Sequence, residues 1–436
     1  MSRMSRKQTI IVCLLALFMA INFADKAVIG LSAVQIMGEL HLKPAEFGLL
    51  GSSFFLLFSV SSLAIGFLAN RIKSYYIIAG LALVWSAAQL PIAFFASFQI
   101  LLLSRIALGA GEGPAFPMAL HAAYKWFQND NRNIPTAVVQ QGVNVGLMLA
   151  GPILTFFIVR YGWHSAFLFL GVLGMAWTIA WMLLGGEGAV NDTTVLKSSY
   201  DRSHVALRVL LFDKTSLSLV LIYFIEYSAI ALYFTWLPSY LHLGLKFSEV
   251  QTGWLFAIIS GSWIPMNLIL ADVSRRLKAA GYSSRVARGI VCSATPAIGG
   301  IVFMMLSLPL SSVSKVFCLA IGGVLTQTIF MFGPLILGEI CPETQRGGIF
   351  GILSSIGTLG GIIAPFVMGH IIQSAIGTSA SGYQNGYLLL GALLVAIGVF
   401  GLLFVNPEKS LARFSHLSKE YPESAGLKSL SEVGRG

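Results

Sequence analysis

The chain has 436 residues, of which 56% are hydrophobic and only 11% charged, with a formal net charge of +10. Soluble domains carry about 25% charged residues, so this composition excludes a soluble globular protein and specifies one that crosses a membrane many times. The positive balance is spread over the connections between apolar runs rather than gathered in a patch, which argues against a nucleic-acid partner.

Twelve apolar runs recur along the chain, near 9–33, 45–69, 75–95, 98–121, 134–158, 165–185, 216–240, 250–271, 287–307, 315–338, 348–372 and 385–405, and are numbered here as spans one to twelve. The first follows Met1-Ser-Arg3-Met-Ser-Arg6-Lys7, a basic start of the kind that opens a secretory signal. Its apolar stretch is too long for one, and no small-x-small cleavage site closes it before Asp25-Lys26, so it reads as a retained first helix.

Charge inside a span is the next signal, because each such group costs roughly 2.5–3.5 kcal/mol at mid-membrane and so marks a functional position by default. Span one carries Asp25 and Lys26. Span four carries Arg105 and Glu112 in Arg105-Ile-Ala-Leu-Gly-Ala-Gly-Glu112-Gly-Pro114-Ala-Phe-Pro117, and a seven-residue spacing puts the two on one helix face about 10 Å apart. A buried carboxylate with a cation beside it can exchange that cation's hold for a proton when a substrate anion arrives. Span five holds Asn144, and span seven holds Glu226 near its middle, followed by Tyr233 and Trp236. Span ten holds Thr326 and Gln327. Glu226 is open between a proton site, a substrate contact and a structural hydrogen-bonded group. The polar and aromatic residues are open between lining a cavity and joining helices.

Between spans six and seven lies a polar stretch from Gly186 to Ser203, then the short amphipathic segment Val205–Phe212, which suits a membrane surface. Six spans stand on either side. Leu42-Lys43-Pro-Ala-Glu46 after span one is echoed by Leu245-Lys246-Phe-Ser-Glu249 after span seven, and Leu68-Ala-Asn70-Arg71 by Leu270-Ala-Asp272. The organisation read from this is a six-helix half over 1–185, a central loop over 186–215, a second half over 216–406 and a tail over 407–436, arranged as parallel repeats around a midplane site. Arg71, Lys73, Lys125, Arg132, Arg275, Arg276, Lys278, Arg285, Arg288 and Arg346 all fall on even-numbered connections, whereas odd ones hold only Lys43, Arg160, Lys246 and Lys315. That bias places both termini in the cytoplasm. Cys13, Cys292, Cys318 and Cys341 show neither metal spacing nor a disulfide framework. Nothing resembles a phosphate-binding loop, so neither a nucleotide nor any other cofactor is expected.

These features resemble the major facilitator superfamily over residues 18–405. Gly66-Phe-Leu68-Ala-Asn70-Arg71-Ile-Lys73 resembles its loop signature between spans two and three, with Asn70 where the aspartate usually stands, and Asp272 keeps the aspartate in the second half. The resemblance implies a gate built from Asn70, Arg71, Asp272 and Arg275. Within the superfamily, Asn22-Phe-Ala-Asp25-Lys26, the fourth-span segment from Arg105 to Pro117, Trp126-Phe127, Tyr161-Gly162-Trp163, Thr235-Trp236-Leu-Pro238 and Pro342 through Arg346-Gly347 are similar to the anion:cation symporters of organic acids. That likeness implies Asp25 and Glu112 as proton carriers and Arg105 as an anion contact. Lys26 stands where the family usually has a substrate-gripping arginine, and a lysine offers a point charge instead of a planar fork.

The fold expected is all-α, integral to the membrane, with twelve helices in two pseudo-symmetric halves. The function expected is proton-coupled import of a small organic acid anion (sugar acid, aromatic acid or dicarboxylate) by alternating access. The protein would act as a monomer in a bacterial inner membrane, with no enzymatic activity. Proton-coupling residues are Asp25, Glu112 and Glu226; substrate contacts are Lys26, Arg105, Tyr233, Trp236, Gln327 and Asn144. Two rival readings are a drug or metabolite exporter of the same superfamily and a sensor that binds an organic acid without moving it. Sodium remains an alternative to the proton.

Overall fold

The computed structural model describes residues 4–69, 71–128, 131–189, 207–342 and 345–420, and these residues form helices and connecting turns with no strand among them. Eleven helices are long and apolar enough to cross a bilayer: Arg6–Leu31, Pro44–Leu68, Ser74–Phe94, Asn133–Tyr161, Trp163–Leu184, Lys214–Thr235, Glu249–Ala279, Arg285–Ser307, Ser312–Ile340, Gly348–Ser374 and Ala380–Phe404. Span four is the twelfth, and it is broken into Phe98–Glu112 and Ala115–Tyr124. A single span over 98–121, with prolines able to bend it, was expected there. Pro114 and Pro117 have no N–H to give the preceding turn, so the ladder stops at the bond from Gly113 N–H to the Gly109 carbonyl and restarts with Met118 N–H to the Pro114 carbonyl, each 3.0 Å. Span eight is longer than expected, running to Ala279.

Large apolar side chains such as Leu63, Phe67, Leu103, Phe156, Leu183, Ile258 and Phe317 remain exposed on the outside of the bundle, as a lipid-facing surface requires. Inside each half, spans one and five pack along their length, as do spans nine and twelve. The close approach of span four to span two needs Gly109, where a Cβ would stand 1.8 Å from the Phe54 carbonyl oxygen.

The halves repeat a capping device. Glu187, just after span six, accepts the N–H of Ser74 at 3.2 Å and of Tyr75 at 2.9 Å, capping span three. Glu408, just after span twelve, accepts the N–H of Arg285 at 3.1 Å, capping span nine. In both, a carboxylate satisfies amides that a helix start leaves free and sits at the positive end of its dipole.

An even number of spans puts the chain termini and the central connection at one end of the bundle. The two halves meet along spans two and eleven and along spans five and eight. On the first seam, from the far end inward, Gln373 Oε1 accepts Ala45 N–H at 3.3 Å and Ser52 Oγ accepts Phe366 N–H at 3.1 Å; the hydroxyls of Ser59 and Thr358 then touch. Two turns further on, in the same register, nothing lies within 4 Å of where a Cβ would stand on Gly66 or Gly351. On the second seam a Cβ on Gly151 would stand 2.2 Å from the Gly253 carbonyl oxygen. The halves therefore touch from the far end to about mid-depth and part toward the end that carries the termini.

Candidate functional site

The site grows from two adjacent residues of span one. Neighbours on a helix point about 100° apart, so Asp25 and Lys26 turn to different spans. Lys26 Nζ reaches across to Glu112 Oε2 of span four at 2.6 Å, and back one turn to the side-chain oxygen of Asn22. Three rings surround the ammonium, with Phe23, Phe54 and Phe58 centroids at 4.4, 5.7 and 5.9 Å. The electron-rich faces of such rings help hold a desolvated cation.

Arg105 lies two turns before Glu112 on span four but does not take its carboxylate. Its guanidinium carbon sits 4.7 Å from the Phe54 ring centroid, and Nε and Nη1 are buried with no hydrogen-bond partner among the described residues. Asp25 is fully buried and makes no ion pair, and the amide of Gln89 on span three is the polar group that faces it. Oε1 of Glu112 and Nδ2 of Asn22 are likewise free. Two carboxylates and two cations thus share one buried compartment, joined by a single direct ion pair. An unmade buried hydrogen bond costs about 1–3 kcal/mol, more for charged groups. Charged and polar groups so gathered inside an apolar bundle make this compartment the candidate site.

The other expected residues lie elsewhere. Glu226 is fully buried, accepting Ile329 N–H at 2.9 Å and Thr328 Oγ1–H at 3.3 Å. Gln327 and Tyr233 line a cleft in the C-terminal half with Thr326, Phe303 and Tyr387, and the Tyr233 hydroxyl bonds to Ser260 Oγ at 2.5 Å. Trp236 is packed at the far end of the inter-half seam, its Nε1–H donating to the Pro365 carbonyl at 3.0 Å and its ring 5.2 Å from that of Phe47. Asn144 donates to Gln141 of its own helix at 3.2 Å. Arg71 is exposed, and Asp272 pairs with Arg275 and Arg276 one turn on, within its own helix. Asn70 lies outside the described residues.

Sequence reasoning passed over Gln89, the rings of Phe23, Phe54 and Phe58, and the side chain of Asn22. Gln89 carries a signal, being an uncharged polar residue deep in an apolar run. Asn22 sits one turn before Lys26, within reach on the same face. Phe54 has no such mark among 30 phenylalanines.

The family model described as Major Facilitator Superfamily matches residues 15–335. Among curated proteins the chain is similar to a probable sulfoacetate transporter of Cupriavidus necator, 23% identical and covering 93% of this chain and 96% of that one. It is similar to the hexuronate transporter of Bacillus subtilis, also 23% identical, over 90% of this chain and 94% of that one. Among solved structures it resembles a bacterial homologue of the human lysosomal transporter Spinster, with a TM-score of 0.73, 17% identity, and coverage of 94% of this chain and 99% of that one.

Proposed function

The chain belongs to the major facilitator superfamily and is a multi-pass secondary transporter; from that premise we propose that it imports a small organic acid anion together with a proton. It belongs, on this reading, with the anion:cation symporters, acts as a monomer in a bacterial inner membrane, and keeps both termini in the cytoplasm. The two halves, meeting within 1–185 and 216–406, alternate in exposing the site to either side. Asn70, Arg71, Asp272 and Arg275 belong to the gate at the termini end, where Asp272 stays within its own helix while that end is open.

The observation that carries this reading is the buried Lys26–Glu112 pair beside an unpaired guanidinium. A substrate carboxylate accepts from the unpaired guanidinium of Arg105 and competes with Glu112 for Lys26. Glu112, deprived of its cation in a compartment of low dielectric, then takes a proton. Charge balance gives the same order. With Asp25 and Glu112 ionised and Lys26 and Arg105 protonated, the four groups sum to zero. A monoanion alone leaves a net negative charge, and the anion with one proton restores neutrality. A dianion requires a second proton, for which Asp25, the unpaired carboxylate, is the acceptor. Both relatives are named for anions that contain a carboxylate, in keeping with this chemistry.

Cells expressing the chain, given sugar acids, aromatic acids, dicarboxylates and sulfoacetate one at a time, test the reading. One acid is expected to make the medium more alkaline as protons enter with it. Lys26→Arg should keep the response and Lys26→Ala should lose it. An acid that binds purified protein but moves no proton contradicts proton symport, and an unchanged response in Lys26→Ala removes Lys26 from the site.

A further inference from the structure

Span ten stops and restarts. It is helical over Ser312–Leu325 and again over Ile329–Ile340, with a turn at Thr326, Gln327 and Thr328 between. Neither glycine nor proline stands in the turn itself, with Gly322-Gly323 just before it and Pro334 beyond it. What matches the interruption is across the helix interface. Glu226 of span seven accepts the freed Ile329 N–H through Oε2 at 2.9 Å and the Thr328 hydroxyl through Oε1 at 3.3 Å, while that hydroxyl also bonds to Thr295 of span nine at 2.7 Å. Phe330, just past the restart, packs on Tyr223 with ring centroids 4.9 Å apart. On its other side the same turn sets Thr326 and Gln327 into the wall of the cleft shared with Tyr233 and Tyr387. A buried carboxylate and a cleft-lining amide are therefore fastened to one three-residue turn.

No cation offsets Glu226 among the described residues. The titratable groups facing it are Tyr223 on its own helix and Cys292 on span nine; spans ten, eleven and twelve bring it no charged side chain. Its charge is held by one amide, one hydroxyl and the positive end of the helix Ile329–Ile340. We propose that Glu226 is a second proton-binding site, in the C-terminal half, and that its state of protonation positions Gln327 through the Thr326–Thr328 turn. Ionised, the carboxylate makes two charge-assisted bonds and holds the turn open. When a proton binds one of its oxygens, both bonds weaken and the turn is released from its tether, leaving the Ile329 N–H less firmly held. Only a proton moves. The role this gives Glu226 in transport rests on the proton symport proposed above, whereas the site itself does not.

Infrared titration of the purified protein in lipid vesicles, without substrate, reads the site directly. From alkaline to acid pH, the carbonyl stretch of a protonated carboxylic acid should appear, with a component missing in Glu226→Gln and retained in Glu112→Gln. Over the same pH range the Ile329 amide, corrected for intrinsic exchange, should lose protection by about tenfold or more in the wild type and by nothing in Glu226→Gln. Glu226→Asp, which keeps an ionisable group, should keep a titrating band and also covers the case in which the glutamine variant fails to fold. A spectrum unchanged by Glu226→Gln, or an Ile329 amide indifferent to pH in the wild type, overturns the proposal. Either result leaves the role of Glu112 standing, since that rests on its own variant.

Discussion

Lys26 holds Glu112 with a compact ammonium that also meets three aromatic faces. A guanidinium at this position brings a planar fork, and the substrate carboxylate would then be gripped at a fixed angle. With lysine here, the planar group of the compartment is the guanidinium of Arg105, on another helix. The four charges were legible in the sequence because an apolar run makes each of them conspicuous. Their pairing was not, since spacing along one helix says which residues share a face and nothing of which neighbour that face meets. Outside the membrane the same physics gives a pH-dependent contact at Glu187. Burial pushes its carboxyl up, but hydrogen bonds from Lys125, the Tyr75 N–H and the Ser74 hydroxyl outweigh burial and hold it below the usual carboxylate range. A depressed folded-state value means that the contact stabilises fully above the ordinary value of 4.5 and fades as pH falls through the folded one. Glu187→Gln should therefore melt at a lower temperature than the wild type at neutral pH, and the gap should narrow on acidification. A gap that stays constant with pH would show that Glu187 does not titrate into its cap.

Among the elements, the breaks in spans four and ten have different settings and different visibility. Span four breaks where Pro114 and Pro117 remove donors, a feature written in the sequence. Span ten breaks at Thr326–Thr328, where the carboxylate of Glu226 on another helix accepts from the turn, and hydropathy alone reads straight through it. Glycines divide in the same way. Gly109 stands where a Cβ would collide with the Phe54 carbonyl oxygen at 1.8 Å, whereas Gly66 has nothing within 4 Å. Gly109→Ala should cost about 1–3 kcal/mol by forcing spans two and four apart. Gly66→Ala, in an open helix interior, should be neutral or stabilise by up to about 1 kcal/mol. Unfolding of both variants in detergent checks the contrast; equal effects would contradict the packing described for span four.

At the scale of the molecule, two halves share a capping design at Glu187 and Glu408 and, among the described residues, meet from the far end to mid-depth. The four buried charges lie on spans one and four of the first half, with Tyr227 of span seven reaching Glu112, while the second half contributes the cleft at Gln327 and Tyr233. Span count, the two-half echo and the superfamily were readable from composition and motif. The open end was not, because a sequence that alternates between states encodes both and only coordinates display one. Trp236 illustrates the limit: its motif is conspicuous, yet its indole is spent on the inter-half seam. The central claim is that a substrate anion and a proton are linked through Glu112. It is tested most directly by comparing uphill accumulation with exchange of substrate across the membrane in Glu112→Gln, reconstituted in vesicles with an imposed proton gradient. The account predicts that accumulation is abolished while exchange persists; accumulation that survives the substitution would contradict it.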